Sequence, residues 1–208
     1  MFVLSLCKQL CPEKVPAEPG ERLGDGSDGE AFVVADDPTK VLKLSIIYDR
    51  FEDTPKEIYF NQIAPVLDYI MLNSPAACAA VYEHGFLGEY SRKLAYWRKG
   101  KQNFVIHYCI MERLHSLTED EKKVFHTLVS HEDRKIEKDL SPKKIKEIVE
   151  GLARGLDFDE NKVILFCEQL RNSFLSHSDI HPRNIMKDNS GSFKLVDFDR
   201  AILENNHA

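Results

Sequence analysis

The spacing of apolar residues changes character near residue 115, and that change constrains the fold more than any other feature of the chain. Before it, short apolar runs are cut by Gly, Pro and Asp turns. "RLGDGSDGEAFVVADDPTKVLKLSII" reads as strand, glycine turn, strand, Asp-Asp-Pro turn, strand, the later two strands being "EAFVVA" and "KVLKLSII". "AVYEHGFLGEY" and "NFVIHYCIMERL" read as a further strand pair. Beyond Thr118 the apolar residues recur at helical spacing. The pattern predicts an α+β chain: an irregular lead-in over 1–20 with three prolines, a β-rich region over 21–114, and a helical region over 115–208.

Helix starts are marked by their caps. Thr54 with Pro55 and Glu57 forms a capping-box pattern at the head of "TPKEIYFNQIA", and Pro65 limits or kinks that helix. Thr118 with Glu121 repeats the pattern. Ser141 followed by Pro142 opens "SPKKIKEIVEGLARGL", and "DENKVILFCEQLRNSFL" is a strongly apolar helix. "GSFKLVDFDRAIL" reads as a turn and a strand ending near Asp197.

A chain of 208 residues can bury a sizeable core as one compact domain or two small lobes. Its net charge of −6 speaks against a general polyanion binder. The five cysteines are scattered and complete no zinc pattern, which favours free thiols in a reducing, cytoplasmic setting. The first apolar run is too short for a signal peptide, and no run reaches the roughly 18 residues of a membrane span.

The chemistry concentrates in four places. Gly24, Gly26 and Gly29 form G-x-G-x-x-G, but a strand follows them, which disfavours a dinucleotide-binding turn. Between strands such a loop is a plain hairpin bend or a cover for phosphates. Lys43, alone in an alternating apolar strand, faces solvent at an edge or is held inward for a purpose, because a buried ammonium is costly unless paired. Glu57 is explained by its cap alone, or pairs with Lys43, or does each in different states. "HSDIHPRNIM" packs polar groups around Pro182. Its Asp179 and Asn184, with Asp197 further on, supply a carboxylate to orient an acceptor hydroxyl and hard oxygens for a divalent cation.

In this order, glycine loop, strand Lys, helix Glu, H-x-D-x-x-x-x-N and D-F-x, the chain resembles the protein-kinase-like superfamily. That superfamily includes protein kinases and the aminoglycoside and choline phosphotransferases. The resemblance covers motifs between about residues 20 and 200. It implies a bilobal kinase-like fold, with a small antiparallel β N-lobe, a truncated helical C-lobe, and ATP with Mg²⁺ in the cleft between them. It further implies that Gly24, Gly26, Ser27 and Gly29 cover the phosphates. Lys43 contacts the α- and β-phosphates and is held by Glu57. Met111 guards the adenine pocket, and the backbone from Glu112 to Leu114 faces the base. Asp179 is the catalytic base, with His181 beside it, and Asn184 and Asp197 are metal ligands.

Departures from the pattern bear on the acceptor. His177-Ser178-Asp179 lacks the arginine that reads activation-loop phosphorylation in many protein kinases. His181 replaces the usual lysine and Asp199 the usual final glycine, both as in the small-molecule branch. Ala31 stands where a valine normally covers adenine, and Asp25 and Asp28 put negative charge in the phosphate loop. Only 11 residues follow Asp197, leaving no room here for an activation loop or late helices. Three readings follow: a minimal Ser/Thr protein kinase, a phosphotransferase acting on a small alcohol, or a kinase-like nucleotide-binding module with little turnover. The protein or alcohol acceptor is then met by the segment 91–101 or the charged helices over 118–154, unless the charged faces of the latter are simply solvated, with a regulatory protein partner left open. Arg92, Lys93, Arg98, Lys99 and Lys101, around Tyr96 and Trp97, suit an acidic protein; a membrane or a nucleic acid is not expected.

Overall fold

The computed structural model describes residues 3–26, 28–48, 54–93, 101–129, 141–173, 175–177 and 179–203. The chain divides into two compact units, Met1–Met71 with Ala80–Arg113, and Leu72–Ala79 with Leu114–Ala208. The α+β class is realised with the strands of the large sheet in the first unit and, among the described residues, three of the six α-helices in the second.

The first unit is built on an antiparallel five-stranded sheet ordered β1-β2-β3-β5-β4. Its strands are β1 (Pro19–Asp25), β2 (Gly29–Val34), β3 (Asp37–Tyr48), β4 (Val81–Lys93) and β5 (Lys101–Glu112). Cross-strand partners share a face. The set Phe32, Leu42 and Ile110, with Leu44, Ile46 and Ile106, is buried on one side. Ala31, Lys43 and Cys109, with Ser45 and His107, lie on the other.

The apolar side is covered by a helix the sequence reading missed. Residues 1–20 were expected to be irregular. Instead Val3–Leu10 form helix α1, whose Val3, Leu6 and Cys7 join Phe32, Leu44 and Phe104 in the core. The apolar spacing at 3, 6, 7 and 10 is helical, but the prolines at 12, 16 and 19 drew the reading towards loop.

The other side receives α2 (Pro55–Ile58), a wide π-type turn (Tyr59–Ile63) and α3 (Ala64–Asn73). Pro65 does not stop this helix. The Ala64 N–H reaches back to Tyr59 O, and the widened turn absorbs the proline, whose ring would otherwise press on the carbonyl four residues earlier. Tyr59 docks the helix: its ring lies 5.3 Å from that of His107 and 5.7 Å from that of Phe86. Its hydroxyl sits 3.4 Å from His84 Nδ1, while His84 Nε2 lies 2.9 Å from Asp68 Oδ1. Burial pushes the Tyr59 phenol up to about 12.

The second unit contains α4 (Glu119–Leu128), α5 (Pro142–Leu152) and α6 (Glu160–Arg171), each opened by the side-chain cap expected or available in the sequence: Thr118, Ser141 and Asp159. Phe125, Phe166 and Phe193 meet edge to face with centroids 5.0 to 6.2 Å apart. Two small antiparallel pairs complete it. β6 (Leu175–His177) pairs with β9 (Ala201–Leu203), and β7 (Ile185–Lys187) with β8 (Phe193–Leu195). The apolar helix expected to run into the polar stretch ends at Arg171. The five cysteines are all free and buried, and no described helix is long and apolar enough to cross a membrane.

Candidate functional site

The glycine hairpin joins β1 to β2, and its turn is closed by Gly26 N–H on Gly29 O at 2.9 Å. A methyl group on Gly29 would meet Leu44 O at 2.9 Å and Ser45 Oγ at 3.2 Å, so this glycine is required by its neighbours. At Gly24 and Gly26 nothing lies within 4 Å, leaving open space over the backbone. Ser27 lies outside the described residues. The Asp25 carboxylate is ion-paired with Arg22 at 2.8 Å, which offsets its charge.

Lys43 is half-buried, cross-strand from Ala31 and Cys109. Its Cε would lie 3.6 Å from a methyl group on Gly29, so the side chain runs past the base of the hairpin. Glu57 is exposed and occupied by its cap: Oε2 accepts Thr54 N–H at 2.9 Å and Thr54 Oγ1–H at 2.8 Å. Those bonds hold its carboxyl below the usual range. The capping alternative is thus formed, and any hold of Glu57 on Lys43 belongs to another state of the chain.

Met111 is buried at the end of β5. Beyond it, Glu112 N–H bonds Ala80 O at 2.9 Å and Arg113 N–H bonds Thr39 O at 2.8 Å, while Glu112 Oε1 accepts Ala80 N–H. Two of the three amide N–H groups expected to face a base are therefore committed within the chain, and Leu114 carries the third.

In the second unit a chain of hydrogen bonds gathers Asp179, Asn184 and Asp197. His177 is 3% exposed. Its Nε2 donates to Asp197 O at 2.6 Å, and its Nδ1 accepts from Asp179 N–H at 3.1 Å. A carbonyl can only accept and an amide N–H only donate, so the ring is the neutral Nε2–H tautomer. Asn184 Nδ2 donates to Asp179 O at 3.0 Å, and Asn184 O accepts Val196 N–H at 2.8 Å. Asp197 adopts a left-handed conformation, φ 64°, which L-residues other than Asn and Asp seldom tolerate.

His181 caps its own turn, with Nδ1 accepting Arg183 N–H at 3.2 Å. That bond fixes the Pro182–Asn184 turn and so the placement of Asn184. Arg200 was not anticipated. Its Nε lies 3.7 Å from Asp179 Oδ2, and the pairing of His177 with Ala201 in β6 and β9 brings the segment after His177 alongside the one before Ala201. The signal was the short apolar pair "LSH" and "AIL", too brief to read as strands.

The donor set fits a small hard cation. Asn184 spends an amide N–H on Asp179 O, which leaves Oδ1 as the atom that could face a cation, and Asp197 carries a carboxylate. Among the described residues no group of three or more His, Cys, Asp or Glu side chains is placed to hold a metal ion. A magnesium ion that keeps water and nucleotide oxygens needs only one or two protein ligands of this kind.

No family model matches the chain, and no curated protein matches it. Among solved structures 682 chains match. One is described as "ROP18 kinase domain in complex with AMP-PNP and sucrose"; it is 13% identical, with a TM-score of 0.46, over 89% of this chain and 52% of that one. This chain thus spans about half the length of the chain it is compared with.

Proposed function

We propose that the protein is an ATP- and Mg²⁺-dependent phosphotransferase acting on a hydroxyl group, of the minimal Ser/Thr protein kinase kind, working in the cytoplasm. The observation that carries this reading is the hydrogen-bonded assembly through His177, which holds Asp179, Asn184 and Asp197 together. Asp179 receives the acceptor's proton as its oxygen attacks the γ-phosphorus and the bond to the β–γ bridging oxygen breaks, releasing ADP. Asn184 Oδ1 and the Asp197 carboxylate hold the magnesium ion, which when bound neutralises charge developing on the phosphates. Lys43 neutralises the α- and β-phosphates, and the open backbone at Gly24 and Gly26, with Ser27, covers them. Met111 borders the adenine, and Glu112 C=O and Leu114 N–H receive its edge. His181 supports the loop that presents Asp179 and Asn184.

A second reading, transfer to a small alcohol, is favoured by Arg200 standing against Asp179, a cation next to the position an acceptor hydroxyl would take. Labelled ATP decides between the two: label enters protein or a small hydroxyl compound. Mg-ATP is expected to raise the melting temperature of the wild type and not of Asp197→Ala. Equal and negligible transfer by wild type and Asp197→Ala would leave a binding module and remove the enzyme.

A further inference from the structure

The far side of the sheet carries a buried carboxylate with two separate partners. Glu30 follows Gly29 directly and is 3% exposed. Its Oε2 accepts the Leu4 N–H of α1 at 2.9 Å, and its Oε1 pairs with Arg22 Nη2 at 2.9 Å. The same Arg22 nitrogen reaches Asp25 at 2.8 Å. Every residue of β1 but Pro19 is exposed, and the β1–β2 ladder shifts register on both sides of Arg22. An exposed, irregular edge strand has little apolar burial to hold it. Arg22 is the side chain that ties it to the sheet, and the tie ends on the carboxylate that also fixes the start of α1. The far end of α1 is fastened as well, by Tyr90 Oη on Leu10 O and, just beyond, Lys14 Nζ on Leu87 O.

We infer that Glu30 is a positioning residue that couples helix α1 to the glycine hairpin, so that the 3–10 segment sets how well the hairpin covers a nucleotide's phosphates. The inference rests on the proposed nucleotide reading for its functional consequence, and on the contacts alone for its mechanical one. Coupling between two sites is reciprocal: what α1 does for the nucleotide, the nucleotide does for α1.

Two variants spare the buried charge itself. Leu4→Pro removes the donated N–H in the first turn of α1, where proline is tolerated. Arg22→Gln removes the hairpin's ion pair. Both are expected to weaken Mg-ATP binding by about fivefold or more while kcat changes by less than about twofold. The acceptor KM stays near wild type, while the melting temperature falls, because each variant leaves one oxygen of the buried Glu30 carboxylate without its partner. In hydrogen exchange without nucleotide, Leu4→Pro is expected to speed exchange across residues 22–30, and Mg-ATP to slow exchange across 3–10 in the wild type. Unchanged exchange at 22–30 in Leu4→Pro overturns the inference whether or not the protein binds ATP. So does wild-type Mg-ATP affinity in both variants. A wild type that binds no Mg-ATP yet shows the hairpin response removes the nucleotide reading and leaves the coupling standing.

Discussion

Replacing His177 by alanine isolates the arrangement on which the site depends. The imidazole is 3% exposed and makes two bonds, to Asp197 O and from Asp179 N–H. Each is worth about 1 kcal/mol net, and leaving a buried partner unmade adds about 1–3 kcal/mol, less where water can enter. The two bonds are only partly buried, so water recovers some of the loss, and the sum is about 2–4 kcal/mol. For a chain of this size about 2–4 °C is lost per kcal/mol, giving a fall in melting temperature of about 4–16 °C. His177→Gln, which offers one acceptor and one donor, is expected to lie between alanine and wild type. Chemical denaturation and thermal melts measure the loss, and Mg-ATP titrated into each variant measures its effect on the site. Stability within about 1 kcal/mol of wild type together with full Mg-ATP stabilisation would mean that Asp179 and Asp197 hold their places without the ring, and the reasoning fails.

The three glycines separate by sterics: Gly29→Ala, whose methyl would press on Leu44 O, is expected to lower the melting temperature, whereas Gly24→Ala and Gly26→Ala leave it unchanged and weaken Mg-ATP binding. Thermal melts with and without nucleotide distinguish them. Burial raises the Glu121 carboxyl, but Lys187 at 2.8 Å and the Thr118 amide outweigh it and hold the group below its ordinary 4.5. A depressed folded value gives stability that is present above pH 4.5 and lost as pH falls from there through the lower folded value, so the gap between wild type and Glu121→Gln should close progressively in acid denaturation melts taken below pH 4.5. Glu57→Ala removes half of a capping box and is expected to cost about 1 kcal/mol; a far larger loss of Mg-ATP affinity than of stability would show Glu57 leaving its cap to serve Lys43.

The elements that proved readable are those whose signal is local. Caps at Thr54, Thr118 and Ser141 announce helices because a side-chain oxygen must meet an orphan amide within three residues. The strands β2 and β3 carry enough aromatic and β-branched residues between turn residues to be recognised without their neighbours. What escaped is what the chain makes at a distance. α1 is a short helix that holds by burying Val3, Leu6 and Cys7 against strands more than twenty residues away, and no short helix is stable on propensity alone. β6 and β9 have three residues each, and only their pairing reveals either one. Arg200 was lost with them.

The polar stretch at 177–186 shows how the two kinds of signal combine. Its composition announced that hydrogen-bonding groups would converge, since a loop that buries part of its backbone must satisfy it. Its roles divide in a way composition did not show. His177 and His181 both turn a ring nitrogen to a backbone N–H, and His177 spends its other nitrogen on a carbonyl from the strand-end at Asp197. Asn184 spends its amide N–H on Asp179 O. These bonds shape the loop, and the set also carries the Asn184 amide oxygen and the carboxylates of Asp179 and Asp197, the former facing Arg200 at 3.7 Å. Under the proposed function these oxygens, one neutral amide and two carboxylates, meet a cation bearing phosphates. This is why His177, which need never touch a substrate, is the residue whose loss tests the site most severely.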